Sequence, residues 1–310
     1  MSAHRRVAVG ATLYNKAEYL SAAVESLLAQ TYEDFVLVLL DDASTDGTLA
    51  IARRYAEGDD RVVFVRNEER VGMLENWRRA YRLAKDATPG LEYFAWGSDH
   101  DIWEPRFLEA LVAELDGDPS IVLAYPHSIR IDGQGVPVRE HDTTLDTHAV
   151  HSPLRRVFLT SSRMVAGNVV YGLIRADALE RAAVFRNVIA PDRLLIAELA
   201  LRGSCRHVPE LLWRRRFEWR DHRTDRQQAA FWPRGAPWYA LLPAWVPHTA
   251  ILSRAYGLRA AAAYAAGISL HVAKRRRKRL RKWAIRRQRR VRAAVGRAAR
   301  AIGVRRRGTT

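Results

Sequence analysis

The chain has 310 residues, 48% of them hydrophobic, enough for one large domain or two smaller ones around a real core. Its single cysteine, Cys205, excludes a disulfide framework and a thiolate metal site, and suits a reducing compartment. The net charge of +17 is an uneven average. Residues 226–310 hold 22 Lys or Arg and no Asp or Glu, whereas the other 225 residues carry 29 basic and 34 acidic side chains. A mildly acidic body is joined to a strongly basic tail, and each needs its own explanation.

Met1 to Arg6 is short and polar. Val7–Thr12 after it reads as a first strand, without the longer apolar region and cleavage site of a signal peptide. Phe35–Leu40, Val62–Val65, Tyr93–Trp96 and Ile121–Tyr125 read as further strands from their length and β-branched or aromatic content. Between them, helical spacing links Leu20, Ala23, Val24, Leu27 and Leu28, and then Leu49, Ala52 and Tyr55. Leu74, Trp77, Tyr81 and Ala84 make a third set, and Phe107, Leu108, Leu111 and Leu115 a fourth. Strand–helix alternation predicts an α/β fold with right-handed crossovers and a mostly parallel sheet covered on both faces. Ligands of such sheets bind at the carboxyl ends of the strands, which selects the loops Leu13–Lys16, Asp41–Thr48 and Gly97–Trp103.

After about residue 126 the pattern changes. Asp132-Gly133-Gln134-Gly135 is a turn between Ile129–Ile131 and Val136–Val138, which predicts a hairpin. His141 to His151 reads as a mobile polar loop, Val169–Ile174 as a strand, Asp192–Arg202 as a helix behind Pro191, and Arg206–Trp213 as a final strand. From about Phe231 the chain becomes aromatic and Pro-rich, then Ala-rich, then Arg-rich. The expected division is 1–125, a second part 126–230 of the same domain, and 231–310 as an aromatic, then Arg-rich tail.

Two of the selected loops carry paired carboxylates. Asp99 and Asp101 flank His100 directly after the apolar run Tyr93–Trp96. Carboxylates suit hard cations such as Mg²⁺ or Mn²⁺, which take few protein ligands and share their shell with a substrate diphosphate. In Asp41–Thr48, Asp46 or Ser44 can cap the following helix. Asp41 and Asp42 are then left as a pair whose repulsion calls for a compensating ligand or cation.

Val7–Asn15 (VAVGATLYN), Tyr19–Tyr32 (YLSAAVESLLAQTY), Asp41–Thr48 (DDASTDGT) and Ser98–Pro105 (SDHDIWEP) stand in an order that resembles a family 2 glycosyltransferase of the GT-A fold. The resemblance covers about residues 5–215. It implies a nucleoside-diphosphate sugar bound over the strand ends, with Thr12 and Tyr14 against the base and Asp42 reading the base edge. It places Asp99 on ribose or metal and makes Asp101 the chief ligand of Mn²⁺ or Mg²⁺. Arg70 falls where many relatives place a basic residue near the nucleotide. Ala43 stands where relatives carry Gly, and Leu13 where many carry Pro or a small residue. His100 reads as a solvated or supporting residue rather than a ligand.

Transfer to a hydroxyl needs a base. Asp192, behind Pro191, is the candidate, because relatives carry an acidic residue just before this helix; capping of the helix is the competing role. Glu198 is the weaker candidate. A carboxylate near its ordinary pKa is ionised at neutral pH and can accept the acceptor's proton. With the metal on Asp101 neutralising the departing diphosphate, a single displacement inverts the anomeric centre. The Gln-x-x-Arg-Trp motif of processive relatives is missing, the nearest text being Arg214-Arg215-Arg216-Phe217-Glu218-Trp219, which predicts one sugar per encounter.

In the tail, the apolar stretch Ala260–Ala273 is shorter than the ~20 residues that span a membrane. Lys274–Arg307 holds 18 basic residues, with Leu280, Trp283, Val291, Val295, Ala298 and Ile302 near helical spacing. A basic amphipathic helix on an anionic membrane surface is expected, placing the protein at the cytoplasmic face beside a lipid-linked or cell-surface glycan acceptor. The donor is expected to be a UDP-, GDP- or dTDP-sugar. Two other readings stand beside this one: an inactive glycosyltransferase-like scaffold, and a tail that binds nucleic acid through phosphate contacts alone, disfavoured because no nucleic-acid module accompanies it.

Overall fold

The computed structural model describes residues 5–140, 144–163, 169–217, 232, 235, 237–277, 280, 281, 283 and 287. Its centre is a sheet in which β1 (Val7–Leu13), β2 (Phe35–Asp41), β3 (Val62–Arg66) and β4 (Tyr93–Ser98) run parallel in the order β3-β2-β1-β4. The first two crossovers are α1 (Ala17–Leu28) and α2 (Thr48–Gly58), and the third is α3 (Met73–Ala87). Every residue of β2 is buried. Phe35, Leu37 and Leu39 face one apolar cluster while Val36 and Val38 face another, as the two-residue period of a strand dictates. The first cluster is closed by α1, α2 and α4 (Phe107–Gly117), the second mainly by α3, so both faces are covered.

The second half of the sheet is mixed. β6 (Ile121–Ile131) pairs parallel with β9 (Ser204–Arg216) and antiparallel with β7 (Pro137–Glu140) and β8 (Leu173–Arg175). β8 joins this half to β4, and the two-residue β5 (Ile102–Trp103) closes the far edge against β9. The expected hairpin is present as β6 and β7, with Ile129–Ile131 continuous with Ile121–Tyr125 in one long strand.

Several expectations are corrected here. Val169–Ile174 is not a strand: Gly172 N–H donates to Val169 O in a turn, and pairing begins only at Leu173. Val169 and Val170 are apolar because they are buried against the second cluster, not because they form a ladder. α5 (Pro153–Arg163), α6 (Ala176–Arg181) and α8 (Trp245–Tyr256) had no counterpart in the sequence reading. Residues 144–151 are irregular apart from a turn, as expected of that loop, while 141–143 lie outside the described residues.

The helix expected behind Pro191 is α7 (Pro191–Arg202). It is buried all round from Leu194 to Ala200, because it lies between the sheet and a third cluster. Val157, Leu252, Ala261, Tyr264 and Ile268 form the outer side of that cluster. Residues 258–277 are helical; Ala261, Tyr264 and Ile268 pack on the body and residues 272–277 are exposed, while most of Lys274–Arg307 lies outside the described residues. Among the described residues no helix is long and apolar enough to cross a membrane.

Candidate active site

β2, β1 and β4 end side by side, so Asp42, Tyr14 and Asp99, each one residue past its strand, emerge together at the carboxyl edge. The Tyr14 backbone N–H donates to Asp99 Oδ2 at 2.9 Å, which ties the first loop to the third. Trp77 Nε1 donates to Thr12 Oγ1 at 3.1 Å from α3 below. The Arg70 guanidinium lies 4.2 Å from the centre of the Tyr14 ring, a cation–π contact that stiffens both side chains. Thr12, Tyr14, Asp42, Arg70, Asp99 and Tyr171 line one cavity of about 180 Å³.

The two aspartates of the second loop are compensated by the chain itself rather than by a ligand. Asp41, fully buried, pairs with Arg66 Nε at 3.3 Å and accepts from the Ser44 hydroxyl and N–H. Asp42 accepts from Asn67 Nδ2 at 2.9 Å, Val71 N at 2.8 Å and Gly72 N at 3.0 Å. A carboxylate offers about four lone-pair sites, so Asp42 keeps one for a ligand. Asp46, not Ser44, serves the helix starts, accepting from Thr48 N and Ala17 N.

In the third loop His100 stands between its neighbours: Nδ1 is 2.6 Å from Asp99 Oδ1, and Nε2 is 3.8 Å from Asp101 Oδ1. Burial alone would lower the imidazole pKa, but Asp99 and Asp101 together raise it above its ordinary value. His100 therefore engages both carboxylates, a closer role than solvation. Asp101 is 2% exposed. Burial raises its pKa, against the opposing pull of His100, Arg215 and the Arg216 N–H, which donates to Oδ1 at 2.8 Å. That N–H arrives because β5 pairs with the end of β9, Ile102 opposite Arg214.

The end of β9 supplies what the sequence reading missed. Arg216 donates to His100 O at 2.9 Å, Asp132 O at 2.9 Å and Gly133 O at 2.6 Å, bracing the loop from behind. Arg215 acts electrostatically on Asp101, Tyr171 and Asp192 alike. Three consecutive arginines in a strand facing an acidic loop were the available signal.

Asp192 is the second residue of α7 and is half-buried. It does not cap the helix: the cap position is Ala190, with no side-chain cap bond. Burial raises the Asp192 pKa, and Arg193, the first-turn N–H groups and Arg215 pull it partly back. Tyr171 is half-buried and lines the cavity; burial raises its hydroxyl's pKa, and Asp101, Asp99 and Asp192 add to that rise. Glu198, 1% exposed, is instead held by Arg186 at 2.8 Å and by the Tyr256 hydroxyl at 3.1 Å. Among the described residues no three His, Cys, Asp or Glu side chains converge on one point. Asp99 and Asp101 still offer two hard oxygen donors beside the cavity. That is a donor set suited to Mg²⁺ or Mn²⁺ when substrate oxygens and water complete the shell.

The family model described as glycosyl transferase family 2 matches residues 9–179. EpsE of Bacillus subtilis is 34% identical over 117 residues, covering 37% of this chain and 40% of that protein. The glycosyltransferase GlyG of Streptococcus pneumoniae is 30% identical over 115 residues, 36% of each chain. The chain thus matches well under half the length of these relatives. Among solved structures, S. aureus TarS 1–349 in complex with UDP-GlcNAc superposes with a TM-score of 0.54 at 20% identity, over 70% of this chain and 60% of that one. Mannosyltransferase PcManGT from Pyrobaculum calidifontis, in complex with GDP-Man and Mn²⁺, gives 0.53 at 20% identity, over 88% and 82%. At that identity the likeness shows the fold, which is GT-A.

Proposed function

The chain belongs to glycosyl transferase family 2, and we propose that it is an inverting, metal-dependent, non-processive glycosyltransferase using a nucleoside-diphosphate sugar. The observation that carries this reading is the shared cavity at the ends of β1, β2 and β4, where Thr12, Tyr14, Asp42, Arg70 and Asp99 meet. Tyr14 and Arg70 offer a flat, cationic face to a base, and the remaining lone pair of Asp42 accepts from a base N–H or ribose hydroxyl. Asp101 with Asp99 would hold Mn²⁺ or Mg²⁺, whose charge neutralises the departing diphosphate. Arg215 adds positive charge on the same side. Asp192 accepts the proton of the attacking hydroxyl, and its raised pKa makes it a stronger base than an ordinary aspartate.

TarS with UDP-GlcNAc and PcManGT with GDP-Man and Mn²⁺ support a nucleotide-sugar donor and a divalent ion. The acceptor is a lipid-linked or cell-surface glycan, met at the cytoplasmic face of the membrane, where the basic tail holds the protein on anionic lipid.

Thermal shift against UDP-, GDP- and dTDP-sugars, with and without Mn²⁺, tests donor and metal together. A true donor at a hundredfold excess over its Kd stabilises by about 2.7 kcal/mol. Asp101→Ala should lose the Mn²⁺-dependent part of that shift; an unchanged shift removes the metal assignment.

A further inference from the structure

Ala190, the cap residue of α7, has φ 50° and ψ 56°, a left-handed conformation that a non-glycine residue keeps only when its surroundings impose it. No side chain caps the helix there. The rotation φ of Ala190 sets the direction in which the preceding carbonyl, Ile189 C=O, points. That carbonyl is gripped: His248 Nε2 lies 2.8 Å from Ile189 O. Its other ring nitrogen, Nδ1, is 2.6 Å from the Tyr264 hydroxyl.

The proton placement follows from the partners. A carbonyl only accepts, so Nε2 carries the hydrogen and donates to Ile189 O. In the neutral ring Nδ1 then accepts from the Tyr264 O–H. Burial moves His248 down to about 4 and raises the Tyr264 phenol, so both stay neutral across the working range. His248 is 0% exposed and Tyr264 1%. The two belong to α8 and to the 258–277 helix, whose Gly267 packs directly on Ser161 and the Phe158 carbonyl of α5.

We propose that the buried chain Tyr264 hydroxyl–His248 imidazole–Ile189 carbonyl is a positioning device that locks the left-handed turn at Ala190 and so fixes the Asp192 carboxylate, two residues on, in its place before the acceptor. The proposal rests on the reading of Asp192 as the base. His248 and Tyr264 touch neither substrate nor reacting atoms; they act through the backbone of residues 189–190. The helices behind the acceptor side thereby become part of the catalytic apparatus rather than an appended anchor.

The test is hydrogen–deuterium exchange on the full chain without ligand, comparing His248→Leu, His248→Gln and Tyr264→Phe. His248→Leu should speed exchange at residues 188–193 by about tenfold, with β1, β2 and β4 unchanged. His248→Gln places an amide N–H where Nε2 was and should restore protection. Tyr264→Phe, which keeps the packing, should give a smaller increase confined to the same segment. Unchanged exchange at 188–193, or an increase spread evenly over α5, α7 and α8 that Gln does not reverse, overturns the proposal. Failure of the base reading shows separately: Asp192→Asn would then release UDP from UDP-GlcNAc, or GDP from GDP-mannose, at the wild-type rate whatever the exchange pattern.

Discussion

Ala43 has φ 57°, in the left-handed region where a Cβ costs about 1–2 kcal/mol. It directly follows Asp42, whose carboxylate accepts from the Val71 and Gly72 N–H groups, at the point where the chain leaves β2. The family resemblance noted glycine at this place; the backbone supplies the reason. Ala43→Gly should therefore stabilise the protein by about 0.5–1 kcal/mol in urea titration, after the extra freedom of glycine in the unfolded chain is subtracted. An equal or lower midpoint would mean that the turn relaxes with alanine in place. At Asp192 stability and activity should diverge. A carboxyl whose folded pKa is raised contributes stability at low pH that is lost as pH rises through that pKa. Asp192→Asn should accordingly raise the melting temperature at neutral pH while cutting transfer about 100-fold or more. The wild-type kcat should fall on the acid side at a pH above the ordinary aspartate value of about 3.9, and that limb should be absent in the variant.

Among the elements, α7 is the one whose sequence looked least like a surface helix. Leu194, Leu195, Ile196, Ala197, Leu199 and Ala200 leave no polar stripe, since one side meets the sheet and the other meets α5, α8 and the 258–277 helix. Glu198, the exception, pairs with Arg186 and accepts from the Tyr256 hydroxyl. The 258–277 helix is seated on α5 at Gly267, where an added Cβ would lie 2.6 Å from the Phe158 carbonyl. Gly267→Ala gains about 1 kcal/mol of helix propensity but must separate two helices, a cost of about 1–3 kcal/mol. Net destabilisation is expected, read as a lower urea midpoint. A midpoint above wild type would show that the helix is not seated this closely.

For the whole molecule, the charge division and the packing division fall in different places. The third cluster carries the packed body on to Ile268, while residues 278–310 hold 14 Lys or Arg and no acidic side chain. A chain ending at Arg277 should keep its thermal stability and lose flotation with anionic liposomes. Flotation that survives the truncation would move the membrane contact into the body. Binding of the full chain to RNA or DNA alone, with no flotation, would favour the nucleic-acid reading of the tail.

The parallel strands, the three loops at their carboxyl ends and the carboxylates in those loops were legible in the chain, because a two-residue or helical period records burial and a turn motif records local geometry. Asp42, Asp99 and Tyr14 are each adjacent to a strand end, so strand order alone brings them together. What the tertiary structure decided is which partner each group meets. Asp41 finds Arg66 and Ser44 instead of a ligand; Arg215 and Arg216 reach the acidic loop only through the pairing of β5 with β9. Val169 and Val170 satisfy their hydrophobicity in a turn, and His248 reaches Ile189 from 59 residues away. Periodicity states that a side chain is buried; only the folded chain states against what.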